Sequence, residues 1–312
     1  MSENVVWRIA LISKVRVLPF AASIIVSTGL LTACGGPDPV DAKRFAESDT
    51  LVQIMNGNLS SSVALRKIAE IDHARLAQEV GSPMPPARVL IFSDTAMEAQ
   101  LIKLNPLTAL DLPMRLLAFE SPADQSAKVI YNSFDYLVSR YELKPEETVD
   151  LRRAYESNIA ALTKGVPKDA LTSFVRDQMQ PDGIITLQST VGFEETLKRV
   201  NAAIDSQDDT VRFGVVDFQT GAKQLNIDIP PSHMILFGAP GPGGKAMSGA
   251  PTLGLDGFCQ KFLVWQDDEG QTYLSFNDLL ALAERQEASK SVALRVINFR
   301  LNKTFSDALA AD

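Results

Sequence analysis

The feature that most constrains the fold is an internal repeat, in which one sequence pattern occurs twice about 145 residues apart. The matched pairs are Asp72 and Asp217, Pro85-Pro86 and Pro230-Pro231, Phe92 and Phe237, Pro106 and Pro251, Leu110-Asp111 and Leu255-Asp256, Asn132 and Asn277, and Leu137 and Leu282. Chance does not keep this register over so long a stretch. The chain is therefore expected to contain two copies of one domain.

The second copy shows the clearer secondary-structure pattern. The β-branched run at 183–191 predicts a strand, and Phe193, Leu197, Val200 and Ile204 recur at helical spacing just after it. Apolar runs at 211–218, 233–240 and 261–276 follow, and the last of them reads as a hairpin with a turn at Asp267–Gly270. Alternating strands and helices of this kind predict an α+β domain, an antiparallel sheet with helices on one face.

The first copy repeats the later elements, but its beginning is too short to hold both the opening strand and the opening helix. A helix at 145–165 lies between Pro145 and Gly165, and a second helix is predicted from Lys168 to Met179. These patterns divide the chain into a first repeat domain at 50–165 and a second at 166–312.

The amino terminus has a different composition from the rest. Arg8, Lys14 and Arg16 precede an uncharged run at 17–31. This pattern predicts a signal peptide over residues 1–33. The sequence Leu31-Thr32-Ala33-Cys34 resembles the lipobox of bacterial lipoproteins.

That resemblance implies cleavage before Cys34, a diacylglycerol on its sulfur, and acylation, for example by palmitate, of the new amino group. Residues 34–49 are then expected to form a flexible tether, and Gly35 favours the outer membrane, facing the periplasm. An ordinary signal peptide followed by an unmodified cysteine is the alternative.

Composition excludes several classes of partner. The net charge of −8 and the pI near 5.0 argue against binding to nucleic acid or to an anionic lipid surface. Lipidation of Cys34 leaves Cys259 as the only other cysteine, so no intrachain disulfide is expected. Cys259 adjoins Phe258 at a strand start, which favours a buried, inert thiol.

Several short motifs resemble the domain of unknown function 302 family. They are IDHA at 71–74, Pro85-Pro86 followed by LIF at 90–92, Pro106 followed by LDLP at 110–113, RLLAF at 115–119, Tyr131-Asn132, and in the second copy PPSHMILFGAP at 230–240, Leu255-Asp256 and the run at 262–278. The resemblance covers about residues 60–141 and 183–287. It implies a compact α+β domain with no established activity and no cofactor.

Two pairs of aspartates are the candidate ligand-binding residues. Asp111 and Asp256 lie where a loop leads into a strand, and Asp72 and Asp217 lie at strand ends. Each carboxylate either contacts a ligand or accepts backbone N–H groups in its turn. Asn132 and Asn277 stand before helical sequence and are predicted to cap those helices.

Other familiar sites are not indicated. His73 and His233 do not align with each other, so neither a metal site nor a Ser-His-Asp triad is expected. The glycine-rich segment 238–249 lacks the glycine and hydroxyl positions of a phosphate-binding loop around Lys245, and it is predicted to be a mobile surface loop.

These observations predict a lipid-anchored periplasmic protein that binds a small ligand or an envelope protein. The repeat without a recognised shared polar constellation favours binding over duplicated catalysis. Two alternatives stay open: an enzyme in the cleft between the copies with Asp111 or Asp256 as its base, and an envelope scaffold with no small ligand.

Overall fold

Two five-stranded sheets, one from each copy, form the framework of the computed structural model, which describes residues 39–174 and 183–310. The first sheet has the order β1-β2-β3-β4-β5 and the second the order β6-β10-β9-β8-β7. The strands are β1 (Arg66–Asp72), β2 (Ala87–Ser93), β3 (Met114–Glu120), β4 (Ala127–Asn132), β5 (Leu171–Phe174), β6 (Ile184–Gln188), β7 (Val211–Asp217), β8 (Ser232–Gly238), β9 (Gln260–Gln266) and β10 (Thr272–Asn277). The predicted α+β fold is confirmed.

Ten α-helices and several short 3-10 turns complete the part of the chain that the structure describes. The helices are α1 (Pro39–Ser60), α2 (His73–Glu79), α3 (Thr95–Leu104), α4 (Phe134–Arg140), α5 (Val149–Leu162), α6 (Phe193–Asp205), α7 (Phe218–Gln224), α8 (Pro240–Met247), α9 (Leu279–Arg285) and α10 (Val292–Ala310). Two of the 3-10 turns, Pro106–Asp111 and Pro251–Leu255, occupy equivalent places in the two copies. Within 39–174 and 183–310, no helix combines the length and the apolar composition needed to cross a bilayer.

The first copy lacks an opening strand, as its short beginning suggests. Between residues 39 and 65 the structure has α1 and no strand. The sheet position beside β4, which β6 fills by antiparallel pairing with β10 in the second copy, is filled by β5 in parallel pairing. A strand from the far end of the first copy thus replaces the missing element.

Strand β5 corrects the described part of the helix predicted from Lys168 to Met179, and residues 175–179 lie outside the described residues. Leu171 pairs with Val129 and Phe174 with Asn132, so this segment belongs to the first sheet. A four-residue strand is too short to show a periodicity of its own, and its pairing with β4 decides its structure.

The predicted tether at 34–49 is also too long. Helix α1 begins at Pro39, and Phe45 and Ser48 on it are buried. Phe45 joins Val52 and Met55 in covering the first sheet, and that burial keeps the segment helical. The predicted signal peptide and Cys34 lie outside the described residues.

At the interface between the two copies, the 3-10 turn of each copy packs on the sheet of the other copy. The turn Pro106–Asp111 contacts β8, β9 and β10, and the turn Pro251–Leu255 contacts β2, β3 and β4. Helix α2 also packs on α8, and α3 packs on α7. Each sheet therefore has helices of its own copy on one face and the other copy on the opposite face.

Segment 238–249 is largely the helix α8 rather than the predicted mobile loop. A Cβ atom at Gly244 would lie 2.6 Å from Ala77 Cβ and 2.5 Å from the Ser82 carbonyl oxygen. The glycines that resemble a loop in the sequence allow α8 to approach α2 closely.

Candidate functional site: a charged cluster between the copies

The two 3-10 turns at Pro106–Asp111 and Pro251–Leu255 carry Asp111 and Asp256 into the interface between the copies. Each turn has proline in its first positions, which presets its backbone. Asp111 is the last residue of the first turn, and Asp256 follows the second. Because each turn lies on the other copy's sheet, both carboxylates are buried, with at most 1% of either side chain exposed.

Asp111 accepts hydrogen bonds from four buried groups. The Tyr141 hydroxyl lies 2.6 Å away, Arg140 Nη1 2.7 Å, Lys261 Nζ 3.2 Å and the Tyr136 hydroxyl 3.5 Å. Burial alone would raise the pKa of this carboxyl, but Arg140 and Lys261 outweigh it and hold the pKa well below the ordinary value. Asp111 is therefore ionised in the folded protein.

Asp256 occupies the equivalent place and also has four donors. Lys261 Nζ lies 2.8 Å from Oδ1, Asn132 Nδ2 3.0 Å from Oδ2, Arg285 Nη2 3.3 Å from Oδ2 and Arg115 Nη1 3.5 Å from Oδ1. Burial again opposes ionisation, and Lys261 in particular reverses the effect, so the pKa of Asp256 is lowered. Lys261 bridges the two carboxylates.

The cluster has the pseudo-symmetry of the repeat. Four pairs of equivalent residues build it: Asp111 and Asp256, Asn132 and Asn277, Arg140 and Arg285, and Arg115 and Lys261. The partners are exchanged between copies, since Asn132 donates to Asp256, and Arg140 Nη2 donates to Asn277 Oδ1 at 2.6 Å. A shared polar constellation therefore exists, contrary to the expectation from the sequence.

The last pair is hidden in the sequence by a shift of one residue. Strand pairing matches Leu90 with Leu116 in the first sheet and Ile235 with Phe262 in the second. The repeat offset therefore grows by one at β3 and β9, which makes Arg115 the counterpart of Lys261. Arg140 and Arg285 keep the constant offset, and that match was the signal for this site in the sequence.

The charges of the cluster do not balance. Four cations, Arg115, Arg140, Lys261 and Arg285, face two carboxylates, and each of the six residues is at most 9% exposed. Within residues 39–174 and 183–310, the buried nitrogens without a hydrogen-bond partner include Arg115 Nε and Nη2, Arg140 Nε, Arg285 Nε and Asn277 Nδ2. The site thus has a surplus of two positive charges and several unused N–H donors.

A surface cleft lies beside this cluster. It has a volume of about 330 Å³ and is lined by Asn105, Leu107, Arg140, Tyr141 and Glu142 of the first copy and by Ile184 and Thr186 of the second. Arg140 and Tyr141 belong to both the cleft and the cluster.

Asp72 and Asp217 lie elsewhere and act as helix caps. Asp72 Oδ1 accepts from Arg75 N at 3.0 Å at the start of α2, and Asp217 Oδ1 accepts from Thr220 N at 2.8 Å at the start of α7. Both carboxylates therefore accept a backbone N–H group in their turn, which is the second of the two roles expected for them.

The prediction that Asn132 and Asn277 cap helices is wrong. Ser133 caps α4 and Asp278 caps α9, each one residue later. Asn132 and Asn277 are the last residues of β4 and β10, where the strand directs their amides into the cluster.

The remaining candidates are buried or paired locally. His73 Nε2 lies 3.0 Å from the Gly254 carbonyl oxygen, and burial lowers the pKa of His73 to about 4. His233 Nε2 lies 3.1 Å from Asp217. Cys259 is fully buried, which raises its thiol pKa to about 11 and agrees with an inert thiol. Among the described residues, no three His, Cys, Asp or Glu side chains form a group able to hold a metal ion.

Comparison with known proteins places both copies in one family. The model of the domain of unknown function DUF302 matches residues 58–162 and 185–306. A crystal structure of an uncharacterized conserved DUF302 protein from Bacillus stearothermophilus is similar over 41% of this chain and 96% of its own, with 16% identity and a TM-score of 0.35.

Curated relatives include proteins named fluoride-specific ion channels. FluC 1 of Brucella suis biovar 1 is 35% identical over 117 residues, which is 37% of this chain and 45% of the relative. FluC 2 of Brucella melitensis biotype 1 is equally identical over 117 residues, 43% of its length. The chain spans less than half the length of these relatives.

Proposed function

We propose that this chain, which belongs to the DUF302 family and carries two copies of its domain, is a cell-envelope lipoprotein that binds a small anion between the copies. The observation that carries the proposal is the surplus of cations in the buried cluster. In the described part of the chain, the carboxylates paired with Arg115, Arg140, Lys261 and Arg285 are Asp111 and Asp256. An anion would offset that surplus.

Burial makes this imbalance costly. An unpaired ion taken out of water costs several kcal/mol, and a buried donor without an acceptor adds about 1–3 kcal/mol. Burial first, and the neighbouring charge of Arg115 second, lower the pKa of Lys261, so this cation is itself destabilised by the surplus. The arginines do not lose their protons in proteins, so their charge needs a counter-charge.

Arg115 is the residue best placed to contact the anion. Its Nη1 is 3.5 Å from Asp256, whereas its Nε and Nη2 have no hydrogen-bond partner among the described residues, and the residue is only 4% exposed. Two donors on one guanidinium edge match the two oxygens of a planar oxyanion such as formate or nitrate.

The test is isothermal titration calorimetry of the whole chain, purified in detergent at low ionic strength, with formate, nitrate, chloride and fluoride. At least one anion should bind, and Arg115→Gln should weaken that binding tenfold or more. Arg153→Gln is the matched control, because the Arg153 side chain is 75% exposed and pairs with Asp150 at the surface. Binding of none of the four anions would refute the proposal.

Fluoride belongs in this panel because of the curated relatives. Their printed names describe fluoride-specific ion channels, and the match to them covers 117 residues. Fluoride binding much tighter than chloride, lost in Arg115→Gln, would make fluoride the ligand of the cluster.

The lipid anchor rests on the sequence around Cys34. The uncharged run at 17–31 and the lipobox-like Leu31-Thr32-Ala33-Cys34 support attachment to a membrane, with the outer membrane facing the periplasm as its place. Labelled palmitate should enter the protein in cells and should not enter Cys34→Ala, and membrane fractionation should follow the label. An unlabelled protein in the soluble fraction would contradict the anchor.

A further inference from the structure

The outer face of α10 begins with three exposed apolar side chains. Val292, Val296 and Phe299 are 78%, 59% and 68% exposed. They recur at intervals of four and three residues, so they lie on one side of the helix. Among the helices and strands that the structure describes, α10 is the one that exposes three large apolar side chains.

Helix α5 is the counterpart of α10 in the first copy. Helix α5 packs on α1, α3 and α4, and α10 packs on α6, α8 and α9, the corresponding helices of the second copy. The alignment of the two helices matches buried residues with buried residues: Thr148 with Leu294, Tyr155 with Leu301, and Ile159 with Phe305. The repeat therefore allows the exposed faces of the two helices to be compared position by position.

Charged residues of α5 and the turn before it stand where α10 has its exposed apolar residues. Glu146 corresponds to Val292, Asp150 to Val296, and Arg153 to Phe299. The side chains of Asp150 and Arg153 are 89% and 75% exposed. Packing of the domain thus does not require apolar side chains at these positions, and their exposure on α10 indicates a contact outside the chain.

A cation lies beside this apolar stripe. Arg295 is exposed, and its Nε donates to the Lys290 carbonyl oxygen at 3.2 Å. Within the described residues, Arg295 forms no ion pair with a carboxylate. Its charge is therefore available to an anionic group that approaches the stripe.

The charge of α10 differs in sign from that of the whole chain. The helix carries Arg295, Arg300 and Lys303 against Asp307, although the chain has a net charge of −8. Lys303 follows Phe299 by one turn and is 61% exposed. An apolar stripe with cations beside it matches a bilayer surface, where acyl chains lie just below phosphate groups.

We infer that the outer face of α10 lies on the surface of a bilayer that contains anionic phospholipid. Val292, Val296 and Phe299 enter the boundary between headgroups and acyl chains, and Arg295 contacts phosphate groups. The inference rests on the proposed attachment of the chain to a membrane and is independent of anion binding between the copies. Attachment makes this second contact intramolecular, so a weak contact suffices to orient the two domains on the bilayer.

The test places a fluorophore on α10 of the full chain. Val292→Cys is labelled and reconstituted in vesicles of phosphatidylglycerol and phosphatidylcholine, in which some headgroups carry a nitroxide that quenches fluorescence on contact. Glu146→Cys is the matched control, because Glu146 is exposed at the corresponding position of the first copy. Quenching at 292 should exceed quenching at 146 about twofold or more. The chain without an added cysteine supplies the background, since Cys259 is fully buried.

A further change gives α10 the residues of α5. Val296→Asp combined with Phe299→Arg, in labelled Val292→Cys, should reduce the quenching to the level of the control. Circular dichroism checks that this variant folds, as expected from the presence of Asp150 and Arg153 at the corresponding positions.

Arg295→Gln tests the charge separately and decides the matter if the double variant does not fold. It should lower the ratio of docked to undocked chains about fivefold at low salt. The effect should shrink at high salt and in vesicles of phosphatidylcholine alone.

The outcomes separate the inference from the proposed attachment. Quenching at 292 that exceeds the control and depends on Val296, Phe299 and Arg295 supports the inference. A chain that floats with the vesicles but shows equal quenching at 292 and 146 overturns it and leaves the attachment standing. A label at 292 that is shielded from water but not quenched by the nitroxide also overturns it, because a protein or a second copy of the chain then covers the face. A chain that does not float with the vesicles overturns both.

Discussion

Replacing Asp256 by Asn should destabilise the protein far more than an ordinary ion-pair mutation. The side chain of Asp256 is 1% exposed and accepts from Lys261 at 2.8 Å, Arg285 at 3.3 Å and Arg115 at 3.5 Å. The substitution keeps the shape but removes the charge, so the surplus of buried positive charge rises from two to three. Breaking a buried pair in this way costs about 3–5 kcal/mol in the free energy of unfolding.

Asp209→Asn is the matched control at the surface. Asp209 forms a two-pronged pair with Arg300, with both N–O distances at 2.6 Å, and the two side chains are 38–39% exposed. Solvent screens such a pair, so its loss should cost at most about 1 kcal/mol. Urea unfolding with an unchanged m-value measures both free energies on one scale.

A third variant tests whether the buried cluster has a surplus of positive charge. Arg115→Met removes a cation from the same pair as Asp256→Asn but lowers the surplus charge, and it should therefore cost less than Asp256→Asn. The charge-imbalance reasoning fails if Asp256→Asn is no worse than Asp209→Asn, or if Arg115→Met is as damaging as Asp256→Asn. An unchanged stability in Asp256→Asn would instead favour the alternative of Asp256 as a dispensable enzymatic base.

Three further predictions concern single residues. Burial raises the pKa of Glu98 to about 8, so its contribution to stability is present below about pH 4.5 and is lost as the pH rises through 8. Urea unfolding at pH 5 and pH 9 should show this loss, about 5 kcal/mol at most, and Glu98→Gln should abolish it. Burial lowers the pKa of His73 to about 4, so its contribution to stability is present above about pH 6.5 and is lost as the pH falls through 4. The loss in the free energy of unfolding, about 3 kcal/mol at most, should be absent in His73→Gln. If this variant keeps the same dependence of stability on pH, other groups cause it. Gly244→Ala should destabilise by about 1–3 kcal/mol because its Cβ would overlap the Ser82 carbonyl oxygen, whereas Gly57→Ala, in open space on α1, should stabilise by up to about 1 kcal/mol; thermal denaturation distinguishes the signs.

The repeat predicted much of the fold, because the same pattern of apolar residues occurs in both copies. The strand at 183–191, the helix after it and the hairpin around Asp267–Gly270 are confirmed, since their apolar spacing follows the period of the element. The shortened beginning of the first copy is also confirmed, and the structure shows that the missing element is the strand. The segments at 168–174 and 238–249 were predicted wrongly because their structure depends on partners distant in sequence, β4 in one case and α2 in the other.

The candidate site was predicted only in part. Asp111 and Asp256 were identified by their constant offset, but their partners were not. Asn132 looked like a helix cap because a helix does follow it, and the strand geometry that directs its amide toward Asp256 has no sequence signal. Arg115 and Lys261 failed to align because the offset shifts by one residue between Asp111 and β3.

The sequence by itself determined that the chain holds two copies of one α+β domain and that both copies keep an aspartate at the same place. It did so because periodicity and repetition are properties of the order of residues along the chain. Only the tertiary structure decided that Asp111 and Asp256 share Lys261, and that four buried cations surround these two carboxylates. These facts depend on how the two copies pack. A buried ion has no water to solvate it, so its partners must be residues that the tertiary structure brings together.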